Sequence, residues 1–136
     1  MALAGPRVAG GLLAATLFLH PFGPASAEAP GCRIDPFQGA TTPQGAIMRM
    51  RVINTGASCG VSNYGLPAEQ GNPAYSGSIT SAPSHGSAAF VAPQVRYTPA
   101  AGYAGEDEFS YEAFAKGAVG QQLRLKVRVK VRVVAP

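Results

Sequence analysis

Residues 121–134 read QQLRLKVRVKVRVV, and apolar and basic side chains alternate along almost the whole stretch. Successive side chains of a β-strand point to opposite faces of a sheet, so this period of two predicts one long strand with an apolar face and a basic face. The apolar face would pack on a core. The basic face carries Arg124, Lys126, Arg128, Lys130 and Arg132.

The segment just before this strand alternates in the same way. Between Glu108 and Ala115, the side chains of Phe109, Tyr111 and Ala113 share one face. Residues 116–120 contain two glycines and predict a loop, so the two strands should form an antiparallel hairpin. The favoured register places Glu112 opposite Arg124, Ser110 opposite Lys126 and Glu108 opposite Arg128. Registers shifted by two residues also keep the charges outside, whereas a shift of one would bury them. We expect a partial ladder of ion pairs that leaves Lys130 and Arg132 the least neutralised.

The rest of the chain after residue 30 also reads as short strands and turns. The full chain of 136 residues is 46% apolar and only 13% charged, which is the opposite of a disordered composition. No segment there keeps a helical period, and residues 54–73 are either a long loop or a loop with a short strand. The second reading is favoured, because long structureless loops are uncommon. About seven strands predict an all-β sandwich, at residues 48–52, 59–64, 75–81, 88–91, 94–98, 108–115 and 121–134.

Residues 97–111, YTPAAGYAGEDEFSY, carry a family resemblance. The stretch resembles the Y-x-P-x-x-G-[FY]-x-G-x-D-x-F-x-Y signature of bacterial immunoglobulin-like, cadherin-like modules, which recur in tandem in large secreted adhesins. The Pro83–Gly86 turn and the alternating final strand are similar to the same modules. The resemblance covers Ile79 to Val133 and implies a Greek-key immunoglobulin-like β-sandwich with a role in cell-surface or extracellular interaction. This chain has one such module.

The first 27 residues have the pattern of a signal peptide. Arg7 precedes an apolar run of 12 residues, Val8–Leu19, which is too short to span a bilayer as a helix. Ala25-Ser26-Ala27 then offers a cleavage site. We expect export to the periplasm or the extracellular medium, with a mature domain of residues 28–136 that lacks a transmembrane span. A retained membrane anchor is the alternative.

Two cysteines, Cys32 and Cys59, follow the proposed cleavage site. Two cysteines in a small exported domain most often form a disulfide. The alternatives are two free thiols or a metal site. A metal site is disfavoured, since there is no C-x-x-C pair and His85 is the one histidine of the mature domain that could add a ligand.

One motif points to hydrolase chemistry. Gly56-Ala57-Ser58-Cys59-Gly60 matches G-x-S-x-G, the nucleophile elbow of serine hydrolases, and His85 is the one imidazole that could serve as its base. The elbow requires a strand, a tight turn and a helix, but residues 61–67 (VSNYGLP) will not form a helix. The favoured interpretation is a Gly-Ser turn beside a cystine, with His85 as a turn residue.

Glu106, Asp107 and Glu108 form an acidic cluster that is a weak candidate for calcium. In a strand, Asp107 would point away from its two neighbours. The family resemblance implies a structural role for Asp107, at the turn before the aromatic strand. The modules that this chain resembles often have an Asp-Gly turn after that strand, which can supply a calcium ligand, whereas this chain has Phe114–Gly117 there, which argues against calcium. No metal or other cofactor is expected.

These features favour a non-catalytic interaction or structural module of the cell envelope, with an unidentified protein or envelope polymer as its partner. An alternative is a binder of anionic polymers that uses the basic side chains of residues 124–132. Those cations also have a simpler explanation, because Lys and Arg keep exposed strands from aggregating. A small serine hydrolase is the remote alternative. No specific nucleic-acid partner is expected.

Overall fold

The computed structural model of the chain describes residues 31–67 and 70–136, so the proposed signal peptide lies outside the described residues. Within those ranges there are eight β-strands and no α-helix, which confirms the all-β prediction. One strand more than expected is present, because the three residues around Arg33 form a short first strand. The strands are β1 Cys32–Ile34, β2 Ala46–Ile53, β3 Cys59–Ser62, β4 Ser76–Ser81, β5 Gly86–Val91, β6 Gln94–Pro99, β7 Gly105–Lys116 and β8 Gln122–Val134.

The strands form two sheets that pack face to face. One sheet has the order β1-β2-β8-β7-β4, and the other has the order β3-β6-β5. All neighbouring strands are antiparallel except β2 and β8, which run parallel. The parallel pair places an early strand of the chain beside the last one, in the middle of the larger sheet.

Alternation along β2, β7 and β8 builds the core between the sheets. The odd-numbered residues of β7 and β8 and the even-numbered residues of β2 point inward, and most of them are buried. Tyr97 of β6 stacks on Phe109 of β7 with ring centroids 5.6 Å apart. Fully burying each Val or Phe side chain of this kind contributes roughly 1.5–3 kcal/mol. The period of two therefore fixes both the strand and the face that it buries.

The segment of residues 54–73 contains the short strand that was favoured, now β3. Just after it, Asn63 is only 4% exposed and makes three side-chain hydrogen bonds. Its amide donates to the carbonyl oxygens of Val61 and Pro93, and its Oδ1 accepts from the Tyr111 hydroxyl at 2.6 Å. A buried amide needs such partners. Asn63 therefore anchors the irregular segment to β7.

The β7–β8 hairpin forms with the expected phase, but the favoured register is wrong by two residues. Glu112 lies opposite Lys126, Ser110 opposite Arg128, and Glu108 opposite Lys130. This is one of the allowed shifted registers. The charges stay outside because a shift of two preserves the alternation.

The reason for the shift is the length of the connecting loop, which has five residues, 117–121. Gly120 N–H donates to the Gly117 carbonyl, and Gly117 N–H donates to the Gln121 carbonyl at 2.7 Å. The Gln121 side chain occupies the space that a Cβ at position 117 would fill, and its Oε1 accepts from Val119 N–H. Gln121 therefore closes the loop instead of extending the strand.

The two sheets are joined covalently at one side of the sandwich. Cys32 of β1 and Cys59 of β3 form a disulfide with their Cα atoms 5.5 Å apart, as expected from the cysteine content. Both belong to edge strands, one in each sheet. The bond holds the three-residue β1 against the second sheet.

Replacing both cysteines, Cys32→Ser with Cys59→Ser, should lower the free energy of unfolding by roughly 3–4 kcal/mol, because a disulfide across this sequence separation restricts the unfolded chain. Chemical denaturation with and without a reductant measures the effect. The reductant should destabilise the wild-type protein and leave the double variant unchanged. Equal stabilities of the oxidised and reduced wild type would contradict this account.

Candidate functional site

The G-x-S-x-G segment lacks the setting of a nucleophile elbow. Ser58 is exposed and directly precedes β3, so the turn leads into a strand and not into a helix. Its hydroxyl lies 2.6 Å from the Thr98 hydroxyl of β6. A catalytic serine instead needs a base within hydrogen-bond reach. The geometry fits a Ser–Thr contact that joins the end of a loop to the neighbouring strand.

His85 lies in the turn between β4 and β5 and stacks on Tyr103, with ring centroids 4.2 Å apart and an angle of 2° between the planes. Its backbone is also engaged: the amide donates to Asp107, and the carbonyl accepts from Ala100 N–H. No hydrogen bond joins His85 to Ser58 in the described part of the chain. The structure thus does not bring the two hydrolase candidates together as a catalytic pair.

Asp107 is the most highly coordinated side chain of the acidic cluster, and only 8% of it is exposed. Its carboxylate accepts hydrogen bonds from the Tyr97 hydroxyl at 2.8 Å and from the backbone amides of Ser84, His85 and Glu108 at 2.9–3.0 Å. These contacts join β6, the turn before β5, and β7. They give Asp107 a role in holding the fold together.

The hydrogen bonds also set the ionisation of this pair. Burial disfavours the charged carboxylate, but the bonds from Tyr97 and the three amides outweigh it, so the pKa of Asp107 lies below its ordinary value. Burial and the neighbouring carboxylate raise the pKa of Tyr97 well above its ordinary value. At neutral pH the pair is therefore a phenol that donates to a carboxylate.

The other two acids of the cluster point to the outer face of the larger sheet, as strand alternation requires. Glu106 lies 3.7 Å from Arg132, and Glu108 lies 3.3 Å from Arg128. In residues 31–67 and 70–136, no group of three His, Cys, Asp or Glu side chains is arranged to hold a metal ion. The three acids thus face in two directions, with cationic or backbone partners.

The outer face of β1, β2 and β8 gathers most of the positive charge, and we call it the basic face. It carries eight of the ten Lys and Arg residues between positions 31 and 136. Arg96, in contrast, lies on the smaller sheet, and Lys116 lies at the far end of β7. The members of the basic face are Arg33, Arg49, Arg51, Arg124, Lys126, Arg128, Lys130 and Arg132.

Carboxylates of β7 neutralise part of this face. Arg124 pairs with Glu112, and Arg128 pairs with Glu108, so two of the expected partnerships form diagonally despite the shifted register. Lys130 has no carboxylate within 4 Å among the described residues. Arg132 was also expected to be among the least neutralised cations, but its guanidinium lies 3.7 Å from Glu106. Since 69% and 84% of these two side chains are exposed, this pair contributes little.

The parallel pairing of β2 with β8 adds two cations that the sequence analysis did not assign to any site. Arg49 lies beside Lys130, and Arg51 lies beside Arg132. On the other side of β2, Arg33 lies beside Arg51. The alternation of Met48, Arg49, Met50 and Arg51 was the available signal for their exposure, but it does not identify the neighbouring strand.

These side chains line a shallow concavity of about 680 Å³ on the basic face. Its cationic walls are Arg49 and Arg51 of β2 and Lys130 and Arg132 of β8, while His85 lies at its edge. Glu106 and Glu108 form the side towards β7, and Asp35 lies on the side of β1. The arrangement can attract and hydrogen-bond anionic groups, but it offers no nucleophile paired with a base.

Comparison with known proteins gives one match. A family model described as a bacterial Ig domain matches residues 52–122, just over half of the chain, including the whole 97–111 signature. Neither the curated proteins nor the solved structures contain a significant match. Among the described residues, no helix is long and apolar enough to cross a membrane.

Replacing Asp107 with Asn should lower the free energy of unfolding at neutral pH by about 1–3 kcal/mol, because an amide nitrogen then faces donors that lose their acceptor. It should also change the pH dependence. A carboxyl whose folded pKa is depressed stabilises the fold above its ordinary pKa of 3.8, and this stabilisation is lost as the pH falls through the folded pKa. Chemical denaturation at a series of acidic pH values measures both effects.

The matched control is Glu106→Gln, which removes an exposed neighbouring carboxylate. Its stability at neutral pH should be nearly that of the wild type, and it should still lose stability as the pH falls. Asp107→Asn should show a smaller loss of stability at acidic pH. If Asp107→Asn were as stable as the control at neutral pH, the proposed role of this carboxylate would be wrong.

Proposed function

Because the chain belongs to the bacterial Ig domain family, we propose that it is an exported, non-catalytic module that acts at the cell envelope or outside the cell by binding a partner through its surface. The observation that carries the proposal is the Cys32–Cys59 disulfide within such a domain. Disulfides persist in oxidising compartments such as the periplasm and the extracellular medium. The charged start, apolar run and small-residue site of residues 1–27 support the same route.

The non-catalytic part of the proposal rests on the surroundings of the candidate nucleophile. Ser58 contacts Thr98, and His85 stacks on Tyr103, so each side chain has a local partner that accounts for it. Domains of this family generally act without catalysis. Interaction through an exposed face is therefore the function that fits the chain best.

A second candidate function, binding of anionic polymers, is favoured by the asymmetry of charge. The basic face carries eight cations, whereas the strands of the smaller sheet carry only Arg96. A surface of one sign raises the local concentration of oppositely charged ligands, and salt weakens the attraction. Binding that disappears at high salt would distinguish this function from recognition of a protein through apolar contacts.

We expect the exported protein to begin at Glu28. Intact-mass measurement on protein recovered from the periplasm or the medium of an expressing bacterium tests this, together with a count of free thiols, which should be zero. Recovery of the full chain from the cytoplasm alone, with reduced cysteines, would overturn the export proposal.

We also expect no ester hydrolysis that depends on Ser58. The purified wild type and the Ser58→Ala variant should give the same background rate with activated ester substrates, because among residues 31–67 and 70–136 the hydroxyl is bonded to Thr98 and to no base. The opposite result, a rate that Ser58→Ala abolishes while the fold is retained, would make the chain an enzyme.

A further inference from the structure

We infer that β2 and β8 together form a binding site for a single chain of an anionic polysaccharide, whose oxyanions are held by Arg49, Arg51 and Lys130. The inference rests on the proposed function and deepens it by assigning the surface and the chemistry of the ligand. Its basis is the placement of these three cations, which the parallel β2–β8 pair brings to one concavity.

Arg49, Arg51 and Lys130 differ from the other cations of the basic face in having no carboxylate partner among the described residues. Arg124, Arg128 and Arg132 each have a glutamate of β7 within 4 Å, and Arg33 has Asp35 at 3.6 Å. In the described part of the chain, no carboxylate lies within 4 Å of Arg49, Arg51 or Lys130. Their donors are therefore available to a ligand, and all three residues are exposed.

Without a ligand, several like charges are neighbours in this arrangement. Arg51 lies between Arg33 and Arg132 in the cross-strand register, and Arg49 lies beside Lys130. On the far side of β8, Glu108 lies opposite Lys130 and Glu106 opposite Arg132, so the repulsion is centred on β2. Like charges directly opposite each other destabilise a sheet. Protection of an edge does not explain Arg51 or Lys130, because β8 is a central strand and β1 pairs with β2 at Met50–Val52. A bound anion would remove this repulsion.

The spacing of the cations favours a long and narrow ligand. Outward side chains recur about every 6.6–6.8 Å along each strand, and neighbouring strands lie about 4.8 Å apart. The site is therefore two cationic columns, about 10 Å across, bordered by Glu106 and Glu108 of β7. A linear anionic chain can lie along these columns, between the carboxylates of β7 on one side and Asp35, just after β1, on the other.

Wider ligands fit this pattern less well. A bilayer surface would press its headgroups on the β7 carboxylates. A DNA duplex presents its phosphates on both sides of a major groove about 12 Å wide, which exceeds the roughly 10 Å of the two columns. The planar forks of Arg49 and Arg51 suit the oxyanions of a sugar polymer, which they can contact with two hydrogen bonds each.

The test compares two double variants that remove the same charge. Arg49→Gln with Arg51→Gln alters the site, whereas Arg96→Gln with Lys116→Gln removes two cations elsewhere. Binding to alginate (carboxylate) and to heparin (sulfate) is measured by calorimetry at low and high salt, and the two polymers distinguish the oxyanion. The wild type should bind at least one of them, and binding should weaken with salt. The site variant should bind about tenfold more weakly, and the control should stay within about twofold of the wild type.

Thermal unfolding gives a second readout that a merely structural role would not produce. Without ligand and at low salt, the site variant should unfold about 2 °C higher than the wild type, because like-charge repulsion is relieved. A variant that gains stability while losing affinity supports the assignment. A variant that loses stability and keeps its affinity overturns it.

Three other outcomes would also overturn the inference. They are no binding of either polysaccharide at low salt, equal loss in the site and control variants, and tighter binding to duplex DNA or phosphatidylglycerol vesicles than to the polysaccharides. Each leaves the proposed function standing, because that function is tested separately by the mass and location of the exported protein. Failure of export would instead remove the premise.

Discussion

The hydrogen bond between the Tyr97 hydroxyl and the Asp107 carboxylate is the contact on which the rest of the sandwich depends. A buried carboxylate is costly unless its oxygens have donors, and Asp107 recruits donors from β6, from the turn before β5 and from its own strand. These partners bring the two sheets together at one end. The 97–111 signature is therefore one physical unit that includes this bond and the stacking of Tyr97 on Phe109.

A second buried polar contact also joins the two sheets, nearer the other end of β7. The Tyr111 hydroxyl donates to Asn63, whose amide holds two carbonyl groups of the smaller sheet and its loops. Burial raises the pKa of Tyr111 well above its ordinary value, so the phenol remains a donor. Two such tyrosines on facing sheets and a disulfide at the side hold the two sheets together. The outward-facing side chains are therefore not needed to join the sheets.

Because the inner faces of the sheets carry the contacts that hold the fold together, charge can accumulate on one outer face. The inward residues of β2 and β8 supply the packing energy, so the outward positions are constrained mainly by solubility and by their neighbours. On the β7 side, the outward neighbours are glutamates that compensate the cations of β8. On the β2 side, they are arginines that add to the charge. The polarity of the face thus changes between adjacent strands, and this change gives the proposed polymer site its border.

The sequence by itself determined the all-β class, seven of the eight strands and the inward and outward faces of the long ones, and it favoured the pairing of the two cysteines. Alternation and composition are local properties of the chain, so they can be read without knowing which strands are neighbours in the sheet. The same alternation limited the β7–β8 register to a few values but could not select one, because the loop is closed by contacts of Gln121 with Gly117 and Val119. Only the tertiary structure decided that β2 lies parallel to β8 and adds Arg49 and Arg51 to the cations of the last strand. The reason is that parallel neighbours are brought together by packing between segments about 80 residues apart, a relation that no local pattern encodes.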